Sequence, residues 1–292
     1  MTTSILNQFI NTETSFITDI EEIVDVLDEI KEVYLYDTSG ISSHELAFKN
    51  HNALLFLSYA QNTPILITDT IAKEMRLLED EERRYLSYLS QFNQVLYVKE
   101  ENLIDLLKVD YELSAARSKF IIASERAFTS IQLLKERVKE TKQFFSKADQ
   151  MIFNAYDDFL LENGNVNRGE LSLLWVSTII EQLPGQTQVT FVGMDHDLYD
   201  FVERSYFSTT KASPFSNDIY FSSNDRLLYS TYSSNSHQQD FAQLISIYRK
   251  ADRKTRYFKK VNKLLNLNQQ KEKISNSDFQ HMVMNDGIEV IY

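Results

Sequence analysis

Four carboxylates in this sequence stand out by position, after apolar runs or on the helices that follow them. Asp37 ends an apolar run in VYLYDTSG, Glu74 falls in ITDTIAKEM, and Glu170 lies near the start of NRGELSLLWVSTII. Asp195 ends the apolar run of VTFVGMDHDLYDF, with Asp197 two residues on. Carboxylates that converge without a basic partner repel one another and raise each other's proton affinity. A divalent cation relieves that repulsion. Magnesium and manganese favour oxygen ligands, keep several waters, and are commonly held by one or two carboxylates together with a substrate phosphate. Such a cation activates water, polarises a phosphoryl oxygen and stabilises a leaving oxygen. Taken singly, each acid also has a plainer role. Asp37 before Thr-Ser-Gly can cap a helix or make a turn, Asp195 and Asp197 can cap a helix, Glu170 suits a helix N-terminal dipole, and Glu74 can be a solvated helix residue. Their joint order favours the site.

The elements that must carry these acids follow from pattern and punctuation. The chain has 292 residues but only six Gly and three Pro, and neither occurs from Ile65 to Asn163, which predicts a mainly helical stretch. A helix is expected over Glu13–Lys31, a short buried strand over Glu32–Tyr36, and a helix over Ser43–Asn62. Strands are expected at Ile65–Thr68 and Gln94–Val98. Between the two, Thr68 or Asp69 would cap the helix that carries Glu74. Leu103–Asn163 reads as helices broken near Ser146, Asn163–Arg168 as a polar turn, and Gly169–Gln182 as a helix. Gln188–Met194 is the clearest strand, followed by a helix to about Tyr206. Beyond it, Asp218–Phe221 and Arg226–Tyr232 alternate like a hairpin. A helix is expected around Gln238–Leu265, and an edge strand in Gly287–Tyr292. Strands separated by helices argue for a parallel sheet with helices on both faces, where ligands gather beyond the carboxyl ends of the strands.

The expected fold class is therefore α/β, a parallel central sheet flanked by helices. Residues 1–206 would form the main domain with a helical insertion at about 103–163. Residues 207–292 would form an α+β extension with a hairpin and a basic helix. Hydrophobic residues make up 43% of the chain, enough for a packed core. No Cys is present, which excludes disulfides, thiolate metal sites and cysteine nucleophiles. No apolar run is long enough to span a bilayer, and no signal sequence follows Met1, so a cytoplasmic protein without a membrane partner is expected.

Net charge is −12, yet Arg249–Lys263 holds Arg249, Lys250, Arg253, Lys254, Arg256, Lys259, Lys260 and Lys263 against Asp252. On a helix this stretch would either contact backbone phosphates or simply form a solvated face. There is no HExxH, no nucleophile elbow and no glycine-rich phosphate loop. Gly193 alone cradles no phosphate. His44 and His51, seven apart on one helix, read as surface residues.

The ordered series VYLYDTSG, ITDTIAKEM, NRGELSLLWVSTII and VTFVGMDHDLYDF, spanning about Val33–Tyr206, resembles the PIN-domain nuclease family. The resemblance implies a PIN-like fold and a metal-dependent endoribonuclease, a hydrolase of RNA phosphodiesters using Mg2+ or Mn2+. It implies Asp37, Glu74, Glu170 and Asp195 as catalytic metal ligands, joined by Asp197 and by Asp149 of SKADQMIF, which competes with Glu170 or joins it. Thr38 or Ser39 would take the small hydroxyl position beside the first acid. Thr38, Ser39 and Arg168 are expected at the substrate, together with Arg249, Arg253, Lys254, Arg256 and Lys260 of the basic stretch. The partner would be RNA, with DNA as an alternative. A homodimer or a protein partner could engage the helical insertion or the C-terminal extension. Two departures stand out, the 96 residues separating Glu74 from Glu170 and the residues after Ser205, which have no counterpart. Two rival readings remain: a catalytically inactive PIN-like binding or scaffold module, and a topoisomerase–primase-type DNA enzyme suggested by the Asp195-His196-Asp197 motif. The latter needs a Glu after an early strand, where Asp37 stands.

Overall fold

The runs EVYLY, ILIT, VLYV and QVTFV lack the polar alternation of a half-solvated strand, and nearly all their residues are buried. Strands of this kind belong inside a parallel sheet covered on both faces. The computed structural model of the chain, which describes residues 15–77, 83–162, 167–207, 219–234, 241–261 and 264–292, has that architecture.

The chain begins with β1 (Phe16–Ile17), α1 (Ile20–Ile30), β2 (Glu32–Tyr36), α2 (Thr38–His51), α3 (Leu55–Tyr59), β3 (Ile65–Thr68), α4 (Asp69–Glu74), α5 (Arg84–Leu89) and β4 (Val95–Val98). A block of helices follows: α6 (Leu103–Asp110), α7 (Leu113–Ala127), α8 (Gln132–Thr141) and α9 (Ala148–Glu162). Then come α10 (Arg168–Ile180), β5 (Gln188–Val192), α11 (His196–Phe207), β6 (Ile219–Ser222), α12 (Asn224–Ser234) and α13 (Phe241–Tyr248). The chain ends in β7 (Arg253–Val261), β8 (Leu264–Ile274), α14 (Asn276–Met284) and β9 (Ile288–Val290).

The central sheet runs β1-β4-β3-β2-β5-β6, with every neighbouring pair parallel. From β2 the chain steps outward through β3 to β4, then returns to lay β5 on the other side of β2. Strand order therefore reverses between β2 and β5, and the crevice at their carboxyl ends is where open α/β sheets take ligands. The helix α10 is buried from Leu171 through Ile180, all round rather than along one stripe, because it packs between the sheet and the helical block. Its Trp175 donates to Ser124 Oγ of α7 at 2.9 Å. No helix among the described residues is long and apolar enough to cross a membrane.

Several sequence expectations need correction. The first helix begins at Ile20, because Asp19 caps it by accepting from Glu22 N, while Phe16 and Ile17 pair with β4. Glu13 and Thr14 lie outside the described residues. The second helix starts at Thr38, directly after Asp37, and ends at Asn52 in a left-handed conformation with φ 49°. The helical block breaks at Lys142–Lys147, where Phe144 has non-helical angles, as expected near Ser146.

The expected hairpin near 218–232 is instead a sixth parallel strand and a helix. Phe221 is in register with Phe191 of β5, and Leu227 and Leu228 are buried in α12. The central sheet thus takes a strand from beyond residue 206. The basic helix is instead a strand. Asp252, at φ 51°, stops helical propagation, and Arg253–Val261 pairs antiparallel with β8 and β9. The β-branched and aromatic content of RKTRYFKKV suits a pleated surface. The expected terminal strand is present as β9, at the edge of this second sheet, whose order is β8-β7-β9.

Candidate active site

Asp37 follows the last residue of β2 and caps α2, its carboxylate accepting from the backbone N–H of Ser39 at 3.0 Å and from the Ser39 hydroxyl. Ser39 Oγ in turn accepts from Met194 N at 2.9 Å, so one serine ties the end of β2 to the loop after β5. Asp37 is 3% exposed. Burial pushes its carboxyl up from 3.8 to about 6, against the two Ser39 hydrogen bonds that stabilise the anion. Glu74 and Asp195 add to the upward push.

Glu74 closes α4 and is held from two sides. Thr38 Oγ1 donates to its Oε2 at 2.7 Å, and the N–H of Gly169 donates to its Oε1 at 3.1 Å. Gly169 leaves room here for the tips of its neighbours. A Cβ on it would lie 2.8 Å from Glu74 Oε2, 2.8 Å from Ile71 Cδ1 and 3.3 Å from Asp37 Oδ1. The Asp37 and Glu74 oxygens therefore lie within about 6 Å of one another, around the start of α10. The next residue, Glu170, is half-buried. Burial first, and then the charges of Asp37, Glu74 and Asp195, together raise its carboxyl from 4.5 to about 7.

Asp195 is exposed on the loop between β5 and α11. Gly193, which precedes it by two residues, is a second close approach. A Cβ there would meet Leu198 Cδ2 at 2.6 Å and the Asp37 side chain at 3.3 Å. Its importance was invisible as a sequence motif, and the only available signal was a small residue between a strand and an acid. Tyr292 was also missed. Its buried hydroxyl donates to Asp195 O at 2.9 Å, and the charges of Asp37, Asp195 and Glu170 all act on it.

The structure thus gathers Asp37, Glu74, Glu170 and Asp195 at the reversal between β2 and β5. Among the described residues no Lys or Arg forms an ion pair with any of the four. Equally, no three acidic or imidazole side chains among the described residues are already closed around one cation position.

Other expected residues lie elsewhere. Asp149 faces Arg117 across the helical block at 3.6 Å, and its charge is not among those acting on Asp37 or Glu170. Asp197 is exposed in the first turn of α11 and is likewise not among them. Thr38 and Ser39 turn their hydroxyls to the carboxylates. Arg168 lines a separate cavity with Glu100, Tyr156 and Asp157.

Of the basic stretch, Arg249 is buried against Asp225 at 3.1 Å, Arg256 pairs with Asp200, and Lys260 reaches Asp286 at 2.6 Å. These pairs are structural, so three of the expected phosphate contacts are already engaged. Lys254 is exposed, and its carbonyl accepts from His196 at 2.8 Å. Of the group, Arg249 and Arg253 line a cavity shared with Asp195. His44 is a further correction. It is buried between Tyr36 OH and Asn224 Oδ1, and burial lowers its imidazole to about 4, so it is a neutral core residue, whereas His51 is exposed.

Comparison with family models, curated proteins and solved structures yields no match to this chain.

Proposed function

We propose that this chain is a PIN-like, metal-dependent phosphodiester hydrolase that cleaves RNA. The observation that carries the reading is the placement of four acids, distant in sequence, at the strand-order reversal, where no ion pair to a Lys or Arg is found among the described residues. The donors fit a hard cation: all are carboxylate oxygens, and the burial and mutual repulsion acting on Asp37 and Glu170 are what a bound divalent ion would relieve. Asp37, Glu74, Glu170 and Asp195 would hold it. When bound, Mg2+ or Mn2+ supplies water activation and neutralises charge on the phosphate and leaving oxygen.

The chain's own groups supply position. Ser39 fixes the Asp37 carboxylate and the Met194 backbone together, while Thr38 and the Gly169 N–H fix Glu74. Such fixed carboxylates cost little reorganisation when a cation and a phosphate arrive.

The direct test incubates purified protein with manganese and structured RNA beside its Asp37→Asn and Asp195→Asn variants. Cleavage is expected from the parent only, and metal-dependent cleavage surviving in both variants rejects the assignment. Manganese should also raise the melting temperature of the parent, an effect expected to disappear in Asp37→Asn.

Gly169→Ala tests the positioning directly. Its methyl group enters the space of Glu74 Oε2 and Ile71 Cδ1. A shift of about 1 Å in a ligand is expected to lower the cleavage rate by about 10²-fold. Steady-state cleavage rates of Gly169→Ala and parent check this, and equal rates reject it.

A further inference from the structure

The basic stretch reads in sequence as either a phosphate-binding or a solvated face, and tertiary packing brings Arg249, Lys250 and Arg253 of it to one groove. A cavity of about 520 Å³ opens at Ser39, Met194 and Asp195 and runs along α2 as far as His51, walled on the other side by the segment from Ser246 to Arg253. The α2 wall from Ser39 to His51 is about 18 Å long at helical rise. Although the protein is strongly acidic, the charged residues lining this groove are Arg249, Lys250 and Arg253 against a single carboxylate, Asp195, which stands at its acid-site end. The remaining wall mixes serine hydroxyls and asparagine amides with the apolar side chains of Leu46, Ala47, Met194 and Ile247.

The positive charge is only partly offset, because two arginines share one buried anion. Asp225, fully buried, lies 3.1 Å from Arg249 Nε and 3.6 Å from Arg253 Nε. One carboxylate neutralises one guanidinium, so the pair of arginines keeps a surplus charge. Arg249 already has other partners in Asn276 and Thr255. Arg253 Nε and Nη2, in contrast, are buried and have no hydrogen-bond acceptor among the described residues. What distinguishes Arg253 from Arg249 is access, since 12% of its side chain is exposed while that of Arg249 is fully enclosed, and a charge-assisted bond to a phosphate is among the stronger ones. Arg253 is also close enough to the acid site that its charge acts on Tyr292 together with those of Asp37, Asp195 and Glu170.

We infer that this groove binds one strand of a polynucleotide, with the Arg253 guanidinium holding a backbone phosphate beside the one presented to the carboxylates. The inference rests on the hydrolase reading only for which phosphate is scissile; the groove and its charge stand without it. A groove of this volume is in the range that encloses small ligands, so it admits a few nucleotides of a single strand rather than a duplex. Its phenolic wall residue, Tyr248, is buried, which leaves His51 at the far end as the exposed ring in the groove. Recognition is therefore by phosphate and tolerant of base sequence.

The test is fluorescence anisotropy with a labelled twelve-nucleotide oligouridylate and with a duplex of the same length, in EDTA, so that no cleavage occurs. The parent is expected to bind the single strand more tightly. Arg253→Ala should weaken binding about tenfold and reduce the dependence of log K on log salt by about one. Because Arg253 is partly buried, its variant is checked by thermal melting. Exposed Lys250→Glu provides a second reading free of that concern, with an expected loss of about fivefold or more. Lys139→Glu on exposed α8 makes the same charge change far along the chain and should leave binding unchanged.

The inference is overturned if Lys250→Glu and folded Arg253→Ala bind like Lys139→Glu, or if the parent prefers the duplex. Binding that depends on Arg253 and Lys250, without manganese-dependent cleavage, would leave the groove standing and remove the hydrolase. Cleavage with unaltered binding would do the reverse.

Discussion

Asp37→Asn is expected to abolish manganese-dependent cleavage, by on the order of 10³-fold, and at the same time to make the metal-free protein more stable at neutral pH. Both effects have one cause. The carboxyl is buried beside other acids, and its folded value of about 6 lies above its ordinary 3.8. A group whose folded value is raised binds protons more tightly in the native state, so its contribution favours folding at low pH and is lost as pH rises from about 4 through about 6. The shift corresponds to about 3 kcal/mol of instability above that window. Asparagine keeps an oxygen to accept from Ser39 and carries no charge, so it removes this cost and also lightens the repulsion on Glu170. Thermal unfolding without metal should show the variant melting a few degrees higher at pH 8 and no higher at pH 4. A variant that melts lower than the parent at pH 8 contradicts an electrostatically frustrated site, whatever its activity.

The largest loss of stability is expected from Asp225→Ala. This side chain is fully enclosed, faces Arg249 and Arg253, and accepts from Thr255 Oγ1. Removing it leaves Arg249, equally enclosed, with no anion, and a broken buried pair costs about 3–5 kcal/mol. The melting temperature should fall by on the order of 10 °C. A companion change, Arg249→Met, should recover part of that loss, because the cost lies in the orphaned charge and not in missing attraction. Urea or thermal unfolding of the single and double variants decides this. A single variant within about 2 °C of the parent shows that water already reaches the guanidinium.

The contrast between these two carboxylates bears on what could be read in advance. Asp37 follows an apolar run and precedes Thr-Ser-Gly, so local pattern alone marks it as an acid at a strand end. Asp225 sits in a polar stretch, SSNDRLL, with nothing local to distinguish it from a turn residue. Its role exists only because α12, α13 and β7 meet around it. The same limit explains the basic stretch. Its composition and charge were plain, but eight cations in fifteen residues suit a helix face and a strand edge alike. Asp252 in a left-handed conformation and pairing with β8 and β9 settle the matter.

Sequence by itself determined the apolar strand cores, the helical block between β4 and β5, the strand-end position of Asp37 and the helical positions of Glu74 and Glu170, while Asp195 lies on the loop after β5 and not at the strand's end. These are properties of hydrophobic period and punctuation, which act over a few residues. Tertiary structure decided the strand order that brings β5 against β2, the close side-chain approaches to Gly169 and Gly193, and which of the basic residues are neutralised. Those depend on what lies across a packed interface, where a single methyl group or a single buried carboxylate changes the outcome and no short-range pattern records it.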